Sequence, residues 1–289
     1  MSRVGKLVDK SPRQLLHYLR RRLTKQEQLQ SFDDKHPCVF VLSTGRAGTQ
    51  TLAALFGLAT NVFAYHEPGP QLYGLSKLSY EYSDDIHIRE VLREAFLVAR
   101  KEEMDYSLYC GKGYIETSPQ VTFLAPVILE AISDVRFIHL VRDPRDVVRS
   151  GMRRKWYNGH PADRTRVAPP PDSEAGRQWE VYNPFQKNLW LWAETNRWII
   201  EFSSSLSADR MLLVHSEDLF AAREDTMRNQ FTFIGAPVPS KRKILRVLGK
   251  KLNVQKTGRF PEPPSWSEEM RSDLLTIAGE TARELGYEL

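Results

Sequence analysis

Two short segments of this chain combine residue types that hold oxyanions. The first is Ser43, Thr44, Gly45, Arg46, Ala47, Gly48, Thr49 and Gln50, set between an apolar run and a helix-like stretch. Its glycines let backbone N–H groups turn inward without steric penalty, and a helix behind the turn points its positive end at the same spot. Arg46 adds a fixed cation with several donors, and Thr49 a hydroxyl. The magnesium–triphosphate loop needs a Lys and then Ser or Thr directly after its second glycine. Thr49 and Gln50 stand there instead, which disfavours magnesium-dependent triphosphate chemistry.

The second segment is Arg142 with Asp143, Pro144 and, eight residues beyond Arg142, Ser150. Asp143 is a good helix N-cap with Pro144 at the first helical position. Arg142 then falls at the carboxyl end of a strand, where open α/β sheets place their ligands. Ser150 lies about two turns into the helix, roughly 10 Å along its axis. Such a pair pinches one phosphate, or else is an arginine closing a strand and a serine on a polar helix face.

The elements that must position these residues alternate. Strand signals fall at 36–43, 61–68, 106–119, 135–141 and 210–216, with helix signals at 49–58, 85–103, 120–132, from Asp143, at 185–202 and at about 267–285. That order predicts an α/β domain with a mainly parallel sheet covered on both faces. Residues 31–289 read as one domain carrying a Pro-rich insertion at about 157–182, either a lid or a disordered excursion. Residues 11–30 place Leu15, Leu16, Leu19 and Leu23 at helical spacing, with Arg20, Arg21, Arg22 and Lys25 mostly opposite. This basic amphipathic helix either packs on the domain or lies on an anionic membrane surface.

A net charge of +5 suits an anionic ligand, a nucleic acid or an acidic membrane without choosing among them. No basic stripe interleaves with aromatics, so no nucleic-acid partner is expected. Cys38 and Cys110 sit in or beside apolar strand-like runs, as buried thiols of a reducing compartment do. The seven histidines are scattered and no metal site is expected. With no long apolar run and no signal-peptide core, the expected address is the cytoplasm, with peripheral membrane contact through residues 11–30 as an option.

Taken together, "STGRAGTQTL" and "RDPRDVVRS" resemble the two nucleotide-binding signatures of the PAPS-dependent sulfotransferases. The resemblance is closer to the carbohydrate and bacterial types than to the cytosolic aryl and steroid type. It implies a three-layer α/β/α P-loop-like fold. It also implies that the first loop, Thr44 to Gln50, binds the 5′-phosphosulfate of 3′-phosphoadenosine 5′-phosphosulfate (PAPS), while Arg142 and Ser150 bind its 3′-phosphate. "VHSEDL", "FTFIGAP" and "KTGRFPEPPSW" with a later "ELGY" are weaker echoes of the same family, and the last suggests Arg259 as a further 3′-phosphate ligand. Ala47 stands where many members have Ser, so one hydroxyl contact is absent.

The implied activity is metal-independent sulfuryl transfer from PAPS to a hydroxyl or amine of a small-molecule, carbohydrate or lipid acceptor, releasing PAP. Transfer requires a base and positive groups over the departing phosphate. "YHEPG" resembles the Phe-Glu-Pro of carbohydrate sulfotransferases, which makes Glu67 the candidate base beside Arg46, with His66 and Glu116 in reserve. Lys112 is a further cation, and Trp156 and Tyr157 begin the insertion that could close over an acceptor. The competing readings are a P-loop kinase using Asp143 on magnesium, and a non-catalytic nucleotide- or lipid-binding protein.

Overall fold

In the computed structural model, which describes residues 32–250 and 258–289, five strands form one parallel sheet. They are β1 (Cys38–Leu42), β2 (Val62–Tyr65), β3 (Gly113–Glu116), β4 (Val135–Val141) and β5 (Met211–His215), in the order β2-β3-β1-β4-β5. β1 is central and buried at every residue; Phe40 pairs with Glu116 of β3 on one side and Phe137 of β4 on the other. Alternate side chains serve opposite faces. Cys38, Phe40 and Leu42 join one apolar core with Phe96, Tyr114 and Phe137, while Val39 and Val41 join another with Leu52, Ile138 and Val214. A strand packed on both sides reads as an unbroken apolar run, which is why these segments stand out in the sequence.

Helices α1 (Thr49–Phe56), α2 (Tyr73–Glu81), α3 (Ile86–Tyr109) and α4 (Ala125–Ala131) connect the first four strands. α5 (Pro144–Arg153), the short α6 (Glu174–Gln178) and α7 (Pro184–Ser204) lead to β5. α8 (Ser216–Phe220), α9 (Glu224–Phe233), α10 (Lys241–Leu248) and α11 (Glu268–Glu284) complete the fold. The result is the three-layer arrangement that the alternation predicted.

Three local differences from the sequence reading have physical causes. α2 has no apolar stripe; the residues it buries are Ser76 and Ser79. α3 runs on to Tyr109, so only Gly113–Glu116 of the strand-like 106–119 is extended. The 120–132 helix is a 3-10 turn, Pro119–Leu124, followed by α4. Cys38 is buried as expected, but Cys110, at the end of α3, is exposed. The basic helix expected at 11–30 lies outside the described residues. No helix among the described residues is long and apolar enough to cross a membrane.

Glu116 is no base in reserve. It is fully buried, as is Arg100 of α3. Arg100 donates from Nε and Nη2 to its two oxygens at 2.7 and 2.9 Å, and the Tyr114 hydroxyl donates at 2.8 Å. Removing one partner of such a pair strands a charge in the core. Arg100→Met should therefore lower unfolding stability by about 3–5 kcal/mol in urea titration, and adding Glu116→Gln should recover much of the loss. Recovery of nothing would mean that packing, rather than the pair, is what Arg100 supplies.

Candidate active site

The Ser43–Gln50 loop leaves the carboxyl end of β1 and is pinned from below. Ser43 N–H donates to Thr122 Oγ1 at 3.0 Å, and that hydroxyl donates back to the Ser43 carbonyl at 3.0 Å. Gly45 N–H donates to Ser43 Oγ at 2.9 Å. Gly45, Arg46 and Gly48 all have left-handed backbones, with φ of 80, 60 and 95°. At Gly48 an added Cβ would also sit 3.0 Å from the Phe220 ring, so this turn needs glycine twice over. α1 starts directly after it with no side-chain cap and no acidic residue in its first turn. The free N–H groups of a helix start, left without a capping side chain, are a place for an external anion.

Arg46 joins this loop to the second segment. Its Nε donates to Ser150 Oγ on α5 at 2.9 Å, and its carbonyl accepts from Arg142 Nη1 at 3.3 Å. The sequence placed Arg142 and Ser150 together; the structure places Arg46 between them. Arg142 itself turns back to Asp146, donating from Nη2 at 2.6 Å. Burial pushes the Arg46 guanidinium down, to about 10, with the charges of Arg154 and Arg142 adding to the effect and Glu67 opposing it. Three cations thus crowd one place, at a cost that a bound anion relieves.

Several residues that hold the Arg142 segment had no such role in the sequence reading. Trp192 of α7, fully buried, donates from Nε1 to the Arg142 carbonyl at 2.9 Å. Ser216 Oγ lies within hydrogen-bond reach of the carbonyls of Ala47 and Val141, tying both segments to β5. Glu217 accepts from the Asp143 N–H at 3.0 Å and from the Tyr287 hydroxyl at 3.0 Å. The "VHSEDL" and "ELGY" stretches therefore act together as a brace. Asp143 caps α5 by accepting from the Arg145 N–H at 2.8 Å, and it also pairs with the Arg145 guanidinium at 2.6 Å. That engagement leaves it poorly placed for the magnesium role of the kinase reading.

Above the loop lies a cavity of about 610 Å³, lined among others by Thr44, Gly45, Arg46, Thr49, His66 and Glu67. Glu67 has φ 48°, a strained conformation for a residue with a side chain. Its Oε1 accepts from the Tyr73 hydroxyl at 3.4 Å and lies 4.0 Å from His66 Nε2. The His66 ring is fixed by Nδ1, 2.7 Å from the Thr117 carbonyl. A carbonyl only accepts, so Nδ1 carries the proton and Nε2 faces Glu67. Burial, with help from Glu67, pushes the Tyr73 phenol up to about 12.

The insertion roofs this cavity. Tyr157 donates from its hydroxyl to the Val167 carbonyl at 2.7 Å, and Trp156 and Val167 pack with Trp190 and Leu191. His160, Arg164 and Arg166 line the cavity, so the first part of the 157–182 insertion is packed against it. Ala47 is buried, while Gln50, Arg142 and Ser150 are not on the cavity wall, the last two being bonded to Arg46. Arg259 is exposed; its neighbour Gly258 accepts from Arg153 Nε at 3.1 Å, at the far end of α5. Lys112 stands over the Phe63 ring at 4.3 Å, away from the cavity.

Residues 37–240 match the model of the sulfotransferase family. The chain belongs to the sulfotransferase family. The fold agrees: a sulfotransferase domain from the curacin biosynthetic pathway superposes with a TM-score of 0.52 at 18% identity, covering 88% of this chain and 99% of that one. The sulfotransferase domain of the Synechococcus PCC 7002 olefin synthase gives 0.51 at 18%, covering 91% and 100%. Sulfotransferase STF9 from Mycobacterium avium gives 0.54 at 11%, covering 95% and 81%. No curated protein matches the chain in sequence. In this bacterial-type sulfotransferase the Ser43–Gln50 loop and the strained Glu67 share one cavity, and Ser150 of the second segment is tied to it through Arg46.

The brace is testable apart from activity. Trp192→Phe removes the donor to the Arg142 carbonyl, whereas Trp190→Phe removes a similar ring with no such bond. Leaving a buried acceptor unpaired costs about 1–3 kcal/mol, so Trp192→Phe should lower stability by about that much more in denaturant titrations. Equal losses would show that Trp192 only fills space.

Proposed function

We propose that this sulfotransferase takes its sulfuryl group from PAPS and transfers it to a hydroxyl or amine of an acceptor, releasing PAP. The observation that carries this reading is Arg46, which belongs to the first anion loop and bonds to Ser150 of the second. A donor with phosphate groups at both ends of its ribose suits a site whose two anion segments share one cation. The fit is also electrostatic. An uncapped helix start and three crowded guanidinium groups favour a multiply charged anion.

In this reading the loop N–H groups, Thr44, Arg46 and Thr49 hold the 5′-phosphosulfate, and Arg142 and Ser150 hold the 3′-phosphate, with Arg259 at its outer side. PAPS supplies an activated sulfur whose bond to the 5′-phosphate oxygen breaks as the acceptor oxygen attacks. Glu67 takes the acceptor's proton. Tyr73 and the backbone strain at Glu67 hold that carboxylate on the cavity wall, and His66 Nε2 backs it as a second proton acceptor. Arg46 steadies the negative charge that gathers on the leaving phosphate, so positioning and fixed charge supply most of the acceleration. The packed insertion excludes water from the transfer.

Calorimetric titration tests the donor. PAP should bind without magnesium and about a hundredfold more tightly than AMP, which lacks the 3′-phosphate. Arg142→Ala should abolish that difference, and Glu67→Gln should leave PAP affinity intact while stopping PAP release from PAPS in the presence of hydroxyl acceptors. Magnesium-dependent binding of ATP in preference to PAP would instead favour a kinase, and full turnover by Glu67→Gln would pass the base role to His66.

A further inference from the structure

The cavity that holds Arg46 is also lined by cations to which the donor reading gives no role: Lys77, Arg154, Arg164 and Arg166. Arg154 acts on Arg46, whereas Arg166 acts on Tyr73, the residue that bonds to Glu67. Lys77 of α2 donates from Nζ to the Arg164 carbonyl at 3.2 Å. Among the described residues, Glu67 is the one carboxylate on the cavity wall.

Arg166 is held as a ligand-binding arginine is held. Its side chain is only 15% exposed, its guanidinium stacks over Trp156 at 4.0 Å, and its Nε donates to Asp163 at 3.0 Å. The two terminal nitrogens have no hydrogen-bond partner among the described residues, and Arg166 lines the cavity. A rigid, half-desolvated fork with its outer edge free matches the geometry of a carboxylate, phosphate or sulfate. A second observation points into the same cavity. Thr195 of α7 is 2% exposed and lines the cavity, and its Oγ1 has no partner. Buried hydroxyls are rarely left so, and a polar ligand satisfies it.

We propose that the acceptor end of the cavity contains an anion subsite formed by the Arg166 fork, with Lys77 and Arg164 at its rim. The acceptor then carries a phosphate, sulfate or carboxylate besides the hydroxyl that reacts. Tyr73 lies between the two functions, bonded to Glu67 and close to Arg166, so the anion and the reacting hydroxyl belong to one compact molecule or headgroup. This inference rests on the donor reading, which assigns the Arg46 end of the cavity to PAPS.

The test is calorimetry on PAP-saturated protein, titrated with glucose 6-phosphate and glycerol 3-phosphate beside glucose and glycerol. At least one phosphate ester should bind about tenfold or more tightly than its neutral parent, as a charge-assisted bidentate contact provides. Arg166→Gln should erase that preference, and Arg164→Gln should reduce it, with PAP affinity and melting temperature unchanged in the Arg164 variant. If Arg166→Gln melts early, the Arg164 and Lys77→Gln variants carry the test. No binding of either ester up to about 10 mM, or a preference that survives all three substitutions, overturns the subsite. Failure of PAP itself to bind overturns the donor reading instead.

Discussion

The hydrogen bond from Arg46 Nε to Ser150 Oγ, 2.9 Å long, is the constraint on which the site depends. It spans two segments that leave different strands, and it can form only if Arg46 holds its left-handed backbone at φ 60°. That backbone requires the flanking Gly45 and Gly48, and the loop as a whole requires Thr122 and Ser216 beneath it. The consequence is a half-buried guanidinium pressed against two others. Like charges held this close favour the binding of an external anion.

The rest of the fold serves that arrangement at a distance. β1 and β4 lie side by side in the sheet, so the two anion segments emerge next to each other, at the carboxyl edge where such sheets bind ligands. Trp192, Glu217 and Tyr287 fix the start of α5 from behind. The 157–182 insertion is anchored in good part by aromatic packing: Trp179 meets Trp190 edge to face at 5.0 Å and Tyr157 at 5.4 Å. A roof of this kind can be rigid where it meets the core and still present charged side chains to the cavity.

Much of this was legible in the amino-acid order, for reasons that differ from element to element. β1 and β4 are buried on both faces, so their apolar runs are unbroken. The two anion segments are local, and their residues sit within a few positions of a glycine turn or a helix cap. α2 was invisible because the side chains it buries are serines, and the end of α3 was misread because Tyr106 and Tyr109 favour strands as strongly as helices. The contacts of Trp192 and Ser216 join residues far apart in the chain, and no spacing announces them. The sequence made Glu67 the candidate base and kept Glu116 in reserve. Arg100, supplied by a different helix, buries Glu116, while the strained turn after β2 leaves Glu67 on the cavity wall.

The central claim is that Arg46 and Ser150 act as one unit on one ligand. A double-mutant cycle with Arg46→Ala and Ser150→Ala, read as PAP affinity by calorimetry, tests it directly. The account predicts a coupling of about 1 kcal/mol or more between the two substitutions, since neither group can hold the ligand properly without the other. Additive losses, agreeing to within about 0.5 kcal/mol, would contradict it and separate the two anion segments into independent sites.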